Sequence, residues 1–335
     1  MRGRTVAAAV GVAVAVGTAA AVVAERRLER QWRAEPDPDA DGLVTLPQGR
    51  TFEVTTGDGA ALAVTDAGDG PLVVLAHGYT GSRGIWAPVA RRLVARGHRV
   101  VLWDQRGHGE STVGSAGLTI DRLGDDLRDI LEAVDAHGAV LAGHSMGGMT
   151  VMALIGRHPA VVAERASAVV LVSTAAVLPL TAVGPGLAAA VVGSRLTTAV
   201  MGGPLGPLVA RGGVGSHPVW SHLDAAARIT AATAPETRSQ LLRSMAAMDL
   251  RPGLALCPVP ATVVAGSRDG LTLTGLSLDI TAHLPHAELV VMRDRGHMLP
   301  FEEPDRLADL ILSAPERRAA GPHAVAPGED TVPAG

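Results

Sequence analysis

The sequence predicts an α/β fold, in which helices cover both faces of a mostly parallel sheet and a helical cap is inserted into the core. Short apolar runs rich in β-branched residues recur along the chain, with helical patterns between them. Continuously apolar strands that alternate with helices are typical of a parallel sheet buried on both faces. A long stretch without strand signals interrupts this alternation. We therefore expect one large domain with an insertion.

The predicted strands begin with a hairpin. Thr51–Thr55 and Ala61–Thr65 alternate apolar and polar residues on either side of Gly57-Asp58-Gly59, which predicts two antiparallel strands at the start of the sheet. The remaining strands are predicted from continuous apolar runs: Leu72–Ala76, Arg99–Trp103, Ala139–Ala142, Ala168–Val172, Ala261–Ala265 and Glu288–Met292.

Helices are predicted where apolar residues recur at helical spacing between these strands. Thr119 and Glu303 lie where two of the helices should begin. The expected helices are Ile85–Arg96, Ile120–Ala136, Gly148–Arg157, Leu273–His283 and Pro304–Ser313.

The strand pattern stops between Ser173 and Pro258, where Ala, Leu, Gly and Met dominate. A structureless loop of that length is uncommon in a compact domain. Residues 177–251 are therefore predicted to form a helical cap between two parts of one core, residues 49–176 and 252–314. The apolar content of the cap predicts that the cap covers a binding site with apolar side chains. The alternative is a set of ordinary packed helices without a role in substrate binding.

The N-terminal residues 1–34 differ in composition from the rest of the chain. Thr5–Ala24 carries no charge and consists almost entirely of Ala, Val and Gly. A helix of this length just crosses a hydrocarbon core about 30 Å thick, which predicts an uncleaved membrane anchor. The small residues Val22-Val23-Ala24 also suit signal-peptide cleavage, so a secreted protein is the alternative.

The charges on either side of this segment predict on which side of the membrane the following domain lies. Four arginines follow it and two precede it. By the positive-inside rule, an uncleaved anchor would place the following domain in the cytoplasm, whereas secretion would place it on the opposite side. Residues 35–48, rich in proline and acidic groups, are predicted to be an extended linker, and residues 315–335 a disordered tail.

Composition restricts the class of protein. The chain is 47% hydrophobic and 19% charged with a net charge of −4, and its basic residues, all arginine, form no cluster outside the N-terminus. We therefore expect no nucleic-acid partner. The single cysteine, Cys257, precedes an apolar run and is predicted to be buried and structural. The motifs HExxH, paired CxxC and GxxxxGK[ST] do not occur, so we expect neither a metal nor a nucleotide cofactor.

A GxSxG pattern follows the predicted strand Ala139–Ala142 in the segment Gly143-His144-Ser145-Met146-Gly147-Gly148. A strand that turns sharply into a helix at this pattern exposes the serine hydroxyl in a strained turn. Glycines at 143 and 147 avoid clashes of Cβ atoms across the turn. The N-terminus of the following helix offers free N–H groups to a developing oxyanion. Ser145 is thus the candidate nucleophile.

Five motifs occur in the order that one superfamily uses: Leu75-Ala76-His77-Gly78-Tyr79, residues 104–111 (Asp-Gln-Arg-Gly-His-Gly-Glu-Ser), residues 143–148, Gly266-Ser267-Arg268-Asp269 and Gly296-His297-Met298. With these motifs, residues 50–314 resemble the α/β-hydrolase superfamily. The turn at residues 143–148 is similar to the nucleophile turn of esterases, monoacylglycerol-lipase-like enzymes and cofactor-free haloperoxidase-like enzymes. The resemblance implies a Ser-His-acid triad and an oxyanion hole built on the first motif.

Ser145 needs a base, since a hydroxyl is a poor nucleophile until its proton is removed. His297 lies in a loop directly after the last predicted strand and is expected to be that base. Asp269 follows the strand before it and is expected to orient the histidine. Asp294 is the competing acid, although a spacing of three residues favours a local turn bond.

The remaining polar residues of the motifs receive other roles. The backbone N–H groups of Tyr79 and Met146 are expected to form the oxyanion hole, which would leave their side chains nearly free to vary. His144 is expected to pack or to bind substrate, because a residue beside the nucleophile points elsewhere in a tight turn. His77 and His108 are predicted to be structural, and Asp104 to form a turn.

The predicted reaction is hydrolysis of a small-molecule carboxylic ester with an apolar acyl or aromatic group, through an acyl-enzyme on Ser145. Perhydrolase or haloperoxidase-like activity, carbon–carbon bond hydrolysis and amidase activity use the same triad and stay open. A non-catalytic binding protein with this fold is the alternative from another class. The sequence leaves the oligomeric state open.

Overall fold

A computed structural model describes residues 26–178 and 184–316. The proposed anchor Thr5–Ala24 and nearly all of the predicted tail, residues 315–335, lie outside the described residues. Within those two described ranges, no helix is both long enough and apolar enough to span a bilayer. The boundaries predicted for the anchor, the cap and the tail stay predictions.

The core is one sheet of eight strands with the order β1-β2-β4-β3-β5-β6-β7-β8. The predicted hairpin is confirmed: β1 and β2 pair antiparallel with Thr55 opposite Ala61. β2 also pairs antiparallel with β4, and the pairs from β4 to β8 are parallel. The strands are β1 Arg50–Thr55, β2 Ala61–Ala67, β3 Leu72–Ala76, β4 Arg99–Trp103, β5 Ala139–His144, β6 Ala166–Val172, β7 Ala261–Gly266 and β8 Ala287–Met292.

Both faces of the sheet are buried, as the continuous apolar strands predict. In β3, Leu72 and Val74 join a cluster on one face, whereas Val73 and Leu75 join a cluster on the other. The first cluster includes apolar side chains of α3 and α4, and the second includes those of α2 and α14. These helices are α2 Ala87–Ala95, α3 Ile120–Ala133, α4 Met146–Arg157 and α14 Pro304–Ser313.

The predicted helices are present with small shifts at their ends. The first begins as a 3-10 turn, Arg83–Trp86, before it becomes α2. The Thr119 hydroxyl accepts a hydrogen bond from the Arg122 N–H and caps α3, and Glu303 is the residue before α14. Short helices that the sequence did not predict follow α4 and β8. The remaining core helices are α5 Pro159–Arg165, α12 Thr274–His283 and α13 Leu299–Glu302.

The insertion between β6 and β7 is helical, as predicted. Its helices α6 and α10 pack on each other, and α8 and α9 form a second pair. The sequence after these helices returns to the core at Cys257, which is buried, as expected. The helices are α6 Pro185–Val192, α7 Arg195–Met201, α8 Gly206–Ala210, α9 Trp220–Ala232, α10 Pro235–Ala247 and α11 Arg251–Leu254.

Residues 35–48 were predicted to be an extended linker. The prediction that this segment is extended and solvated is wrong, because the segment packs on the core. The Asp39 carboxylate contacts the guanidinium groups of Arg91 at 2.7 Å and Arg92 at 2.9 Å, and Leu43 is buried. Proline and acidic residues are typical of a solvated segment, but this composition does not show whether the acidic groups have cationic partners elsewhere in the chain. Here α2 supplies two cations, and the ion pairs hold the segment in place.

The N-terminal helix α1, described over residues 26–34, contacts the cap. Trp32 is buried in a cluster with Leu223 of α9 and with Phe301 of α13. The Arg33 guanidinium lies 4.0 Å from the ring centre of Trp220, at the start of α9. The chain that leads to the proposed anchor is therefore attached to the cap.

Candidate active site

The candidate residues lie at the carboxyl ends of four strands. Tyr79 follows β3, Ser145 follows β5, Asp269 follows β7 and His297 follows β8. Strands that run parallel end at the same edge of a sheet, and ligands of open α/β sheets bind at that edge. The fold thus brings together residues that are up to 218 positions apart, from Tyr79 to His297.

Ser145 occupies a strained turn between β5 and α4. Its backbone has φ 53° and ψ −119°, a conformation that non-glycine residues rarely adopt. A Cβ atom at Gly147 would lie 2.1 Å from the Ala76 carbonyl oxygen, and one at Gly143 would lie 2.3 Å from the Gly147 carbonyl oxygen. Both glycines are therefore required by close backbone contacts, as the sequence pattern predicts.

Asp269 and His297 contact each other. Asp269 Oδ2 lies 2.9 Å from His297 Nδ1, and both side chains are buried. A carboxylate at Nδ1 fixes the tautomer in which Nε2 is free to accept a proton. His297 and Ser145 line the same cavity.

Three further hydrogen bonds hold the Asp269 carboxylate. Its Oδ1 accepts from the N–H groups of Leu271 and Thr272, both at 2.8 Å, and its Oδ2 accepts from the Thr272 hydroxyl at 2.7 Å. Burial raises the pKa of Asp269, but the His297 ring and the bonds from His297 and Thr272 outweigh burial and lower the pKa to about 2. The role of Thr272 was not predicted. An Asp carboxylate that accepts a hydrogen bond from the residue three positions later is nevertheless a common turn contact.

Asp294, the competing acid, lies away from His297. Its side chain is 42% exposed and lies 3.5 Å from Arg268 Nε. Its backbone N–H donates to the Ser267 hydroxyl at 2.8 Å. The position is a turn with φ 59°, which agrees with the local role expected from its spacing.

Glu302 holds the loop that carries His297. Its carboxylate accepts hydrogen bonds from the backbone N–H groups on both sides of the histidine, Gly296 at 2.9 Å and Met298 at 3.1 Å. It also accepts from the Gly215 N–H of the cap at 2.9 Å. Burial raises the pKa of Glu302, and these three N–H groups limit the rise. No signal in the sequence indicates this role, since Glu302 resembles an ordinary surface acid next to Glu303.

His77 holds the turn after β3, residues 78–81, from the side of the core. The Gln105 N–H donates to His77 Nε2 at 2.9 Å, so Nδ1 carries the hydrogen and donates to the Gly78 carbonyl at 2.8 Å. Burial lowers the pKa of His77 to about 4, so the ring is neutral near pH 7. The Gly81 N–H donates to the same carbonyl at 3.0 Å. His77 thus has the structural role that the sequence predicts.

The Tyr79 side chain is not free to vary, which corrects the expectation from the sequence. Its hydroxyl donates to the Arg238 carbonyl of α10 at 2.5 Å. Burial raises the pKa of Tyr79, so the hydroxyl stays protonated as a donor. The Met146 N–H, in the first turn of α4, has no intrahelical partner, as expected for this position.

His144 is buried beside the nucleophile. Its Nε2 donates to the His297 carbonyl at 2.8 Å, and its ring centre lies 4.9 Å from that of His297. Burial lowers the pKa of His144 to about 3, which keeps the ring neutral. The ring packs on the histidine loop and also lines the cavity, so contact with a substrate stays a prediction.

Two other motif residues lie outside the cavity. Asp104 accepts from the Arg83 N–H at 2.7 Å and from the Glu110 N–H at 3.0 Å, which supports its predicted role in a turn. His108 is buried and contacts the His77 ring with 5.1 Å between ring centres. In residues 26–178 and 184–316, no three His, Cys, Asp or Glu side chains group together in a way that could hold a metal ion.

A cavity of about 430 Å³ lies between the site and the cap. Ser145, His144 and His297 are at its floor, with the turn at residues 78–81 beside them. Its walls are largely apolar and come from the core and the cap, among them Ile85, Met149, Met201, Ile229, Leu242 and Met245. The shape and lining suit a small molecule with an apolar group.

Comparison with known proteins identifies related sequences. Residues 71–192 match the family described as the alpha/beta hydrolase fold. Over 104 residues the chain is 38% identical to a non-heme chloroperoxidase of Kitasatospora aureofaciens, an alignment that covers 31% of this chain and 38% of that protein. The match therefore spans about two fifths of the chloroperoxidase.

Two further comparisons cover most of the chain. It is 28% identical over 279 residues to 3-oxoadipate enol-lactonase 1 of Acinetobacter baylyi, which covers 80% of this chain and 94% of the lactonase. An esterase from Exiguobacterium antarcticum superposes with a TM-score of 0.71 at 18% identity, over 81% of this chain and 100% of the esterase. At that identity the esterase demonstrates a shared fold.

Proposed function

This chain belongs to the α/β-hydrolase fold superfamily, and from that premise we propose that it hydrolyses carboxylic esters with an apolar acyl or aromatic group. The observation that carries the proposal is the contact of 2.9 Å between Asp269 and His297, where His297 lines the same cavity as the strained Ser145. Such an arrangement of nucleophile, base and acid suits acyl transfer.

In the proposed first step, Ser145 Oγ attacks the ester carbonyl carbon while His297 Nε2 takes the hydroxyl proton. Asp269 stays ionised, because its pKa is about 2, and stabilises the imidazolium that forms. The carbonyl oxygen becomes an oxyanion, which the N–H groups of Tyr79 and Met146 would bind.

The tetrahedral intermediate then expels the alcohol, which takes the proton from His297 and leaves an acyl group on Ser145. A water molecule attacks this ester, with His297 again accepting a proton, and the carboxylic acid leaves as Ser145 recovers its hydrogen. The second half is the reverse of the first with water in place of the alcohol, so the same groups serve both halves.

The choice of substrate rests on the cavity. Apolar side chains from the cap and the core would receive the acyl or aromatic group by burial of apolar surface. The relative from Acinetobacter baylyi is named for an enol-lactone, which is a cyclic ester. An ester therefore agrees with both the lining and this similarity.

Perhydrolase or haloperoxidase-like activity is the second candidate, and the 38% identity to the chloroperoxidase favours it. In that reaction hydrogen peroxide would replace water in attack on the acyl group of Ser145, which would yield a peracid. Peracid formation from acetate and hydrogen peroxide would distinguish this activity from plain hydrolysis.

Labelling with a fluorophosphonate probe tests the proposal. We expect the full-length protein to be labelled on the peptide that contains Ser145, and Ser145→Ala to lose both labelling and hydrolysis of nitrophenyl butyrate while circular dichroism stays unchanged. A series of nitrophenyl esters of increasing chain length would then define the acyl group. Unlabelled wild-type protein, or a Ser145→Ala variant with wild-type rates, would refute the assignment.

A further inference from the structure

Arg238 is a fully buried cation in α10 of the cap, and its partners are neutral. In the described part of the chain no carboxylate pairs with it; its donors go instead to backbone carbonyls and one hydroxyl. These acceptors are Val192 O at 2.8 Å, Thr230 O at 3.0 Å, Thr233 O at 2.8 Å, Ser194 O at 3.1 Å and Thr198 Oγ1 at 2.6 Å.

Three of the five acceptors lie at the C-terminal ends of two helices, and the other two, Ser194 O and Thr198 Oγ1, belong to the start of α7. Val192 is the last residue of α6, and Thr230 and Thr233 lie at the end of α9. The last carbonyls of a helix lack intrahelical partners and carry partial negative charge. The planar guanidinium satisfies several of them at once, which the compact ammonium of a lysine does not do. Arg238 therefore joins α6 and α9 at their C-terminal ends.

The C-terminal end of α9 also holds the turn after β3. The Thr233 hydroxyl donates to the Thr80 carbonyl at 3.0 Å, and the hydroxyls of Thr230 and Thr80 lie 3.1 Å apart. Thr80 has φ 55°, a conformation that needs support from its surroundings in a β-branched residue. Arg238 supplies a third contact, because its own carbonyl accepts from the Tyr79 hydroxyl.

These contacts act on the peptide that carries the proposed oxyanion donor. The Tyr79 N–H and the Gly78 carbonyl share one planar peptide unit, so the direction of one determines the direction of the other. His77 and Gly81 hold the Gly78 carbonyl from the core side. Tyr79 and Thr80, which follow this peptide, are held from the cap side.

We infer that Arg238 is a positioning residue that, through Tyr79 and Thr80, couples the position of the cap to the geometry of the oxyanion hole. The inference rests on the proposed function, because it assigns the Tyr79 N–H to the oxyanion. It makes the cap part of the catalytic machinery as well as part of the cavity wall. A cap displaced from this position would release the turn and lower the rate of the chemical step.

Tyr79→Phe is the sharpest test, since it removes the hydroxyl that contacts Arg238 and keeps the ring. We expect kcat for a soluble nitrophenyl ester to fall about 10-fold with KM nearly unchanged, because the loss affects the transition state more than substrate binding. The inhibition constant of a trifluoromethyl ketone, which forms a tetrahedral oxyanion adduct on serine, should rise by the same factor.

Thr197→Val is the matched control. The Thr197 hydroxyl also donates to a backbone carbonyl within the cap, that of Val191 at 2.6 Å, but it has no contact with the turn. We expect this variant to lower the melting temperature as much as Tyr79→Phe does, with kcat and inhibitor binding unchanged. Equal kcat values for wild type, Tyr79→Phe and Thr197→Val would overturn the inference, because the contact of Tyr79 with the cap would then have no effect on the chemical step.

Hydrogen exchange tests the coupling without any assay of activity. We expect backbone N–H groups of residues 78–81 to exchange faster in Tyr79→Phe and Arg238→Lys than in wild type and Thr197→Val. Unchanged exchange in this turn would overturn the inference even if the protein hydrolyses no ester. An active wild type with an unaffected Tyr79→Phe variant would reject the inference alone, whereas a wild type that the fluorophosphonate probe does not label would reject the proposed function.

Discussion

The Asp269 carboxylate lies 2.9 Å from Nδ1 of His297, across the ends of the neighbouring strands β7 and β8. Asp294, only three residues from His297, instead points to Arg268 at the surface. Contact with the histidine is thus determined by adjacent strands and not by closeness in sequence. The difference between the two acids leads to the first prediction.

Asp269→Asn should lower kcat by about 10²- to 10⁴-fold, because an amide at this position favours an unproductive tautomer of His297. Asp294→Asn is the control and should change kcat little. Both variants should be assayed at saturating ester between pH 6 and 9, a range that includes the ordinary histidine titration at about pH 6.5 and extends well above it. A large loss for Asp294→Asn with a near-normal Asp269→Asn would reverse the assignment.

Glu302→Gln should disturb the loop that carries His297. A glutamine amide group cannot accept a hydrogen bond at its nitrogen, so at least one of the N–H groups of Gly215, Gly296 and Met298 would lose its acceptor. We expect a loss of about 1–3 kcal/mol in the free energy of unfolding, together with a lower kcat.

Glu303→Gln is the control for this effect. Glu303 is the next residue, and its partly exposed carboxylate pairs with Arg295 and holds no backbone N–H of the histidine loop. Its replacement should change the free energy of unfolding by about 1 kcal/mol or less and leave kcat unchanged. Urea unfolding and ester hydrolysis measure both quantities. If Glu302→Gln matched Glu303→Gln in both, the loop would not depend on Glu302.

Acid should destabilise the protein below about pH 6.5, because three buried histidines are neutral in the folded state. Burial lowers the pKa of His77 to about 4 and those of His108 and His144 to about 3. The unfolded chain binds these protons near pH 6.5, whereas the folded chain does not bind them until pH 3 to 4. The contribution of these three histidines to the free energy of unfolding is therefore fully present above about pH 6.5 and falls as the pH decreases from there.

Three protons correspond to a slope of at most about 4 kcal/mol per pH unit between pH 6 and 4. The carboxyls of Asp126 and Glu302 act in the opposite direction and offset part of this loss, since burial raises their pKa values, that of Asp126 to about 6. Urea unfolding at several pH values measures the slope. His108→Leu should reduce it by about 1.4 kcal/mol per pH unit, and the exposed His137→Gln should not. An equal slope in all three proteins would contradict the prediction.

Residues 1–34 should hold the full-length protein at a membrane. The uncharged Thr5–Ala24 is long enough to span the hydrocarbon core, and the arginines after it favour a cytoplasmic catalytic domain. Carbonate extraction of isolated membranes, followed by N-terminal sequencing, tests both retention and cleavage. Recovery in the soluble fraction with an intact N-terminus would argue against an anchor, and a mature chain that begins near Glu25 would indicate secretion.

Most of the fold could be predicted because strand and helix patterns are local. Continuous apolar runs predicted the parallel strands, and the glycines of residues 143–148 predicted the sharp turn at Ser145. The order of the motifs along the chain also placed Asp269 and His297 after neighbouring strands. For the strands and the turn the physical cause, side-chain periodicity or steric exclusion, acts within a few residues. The order of the motifs was instead recognised by the resemblance to the α/β-hydrolase superfamily.

Glu302 and Arg238 could not be recognised in this way. Each acts through backbone groups or side chains that only the packing of the cap and the loops brings into contact, as when Arg238 reaches the ends of α6 and α9. The same holds for Asp39, which the sequence assigns to a solvated linker and which the structure places beside Arg91 and Arg92. Local chemistry determined which residues could react and where the chain would turn. Tertiary packing decided which polar groups support them, because the partner in a buried hydrogen bond can come from any part of the chain.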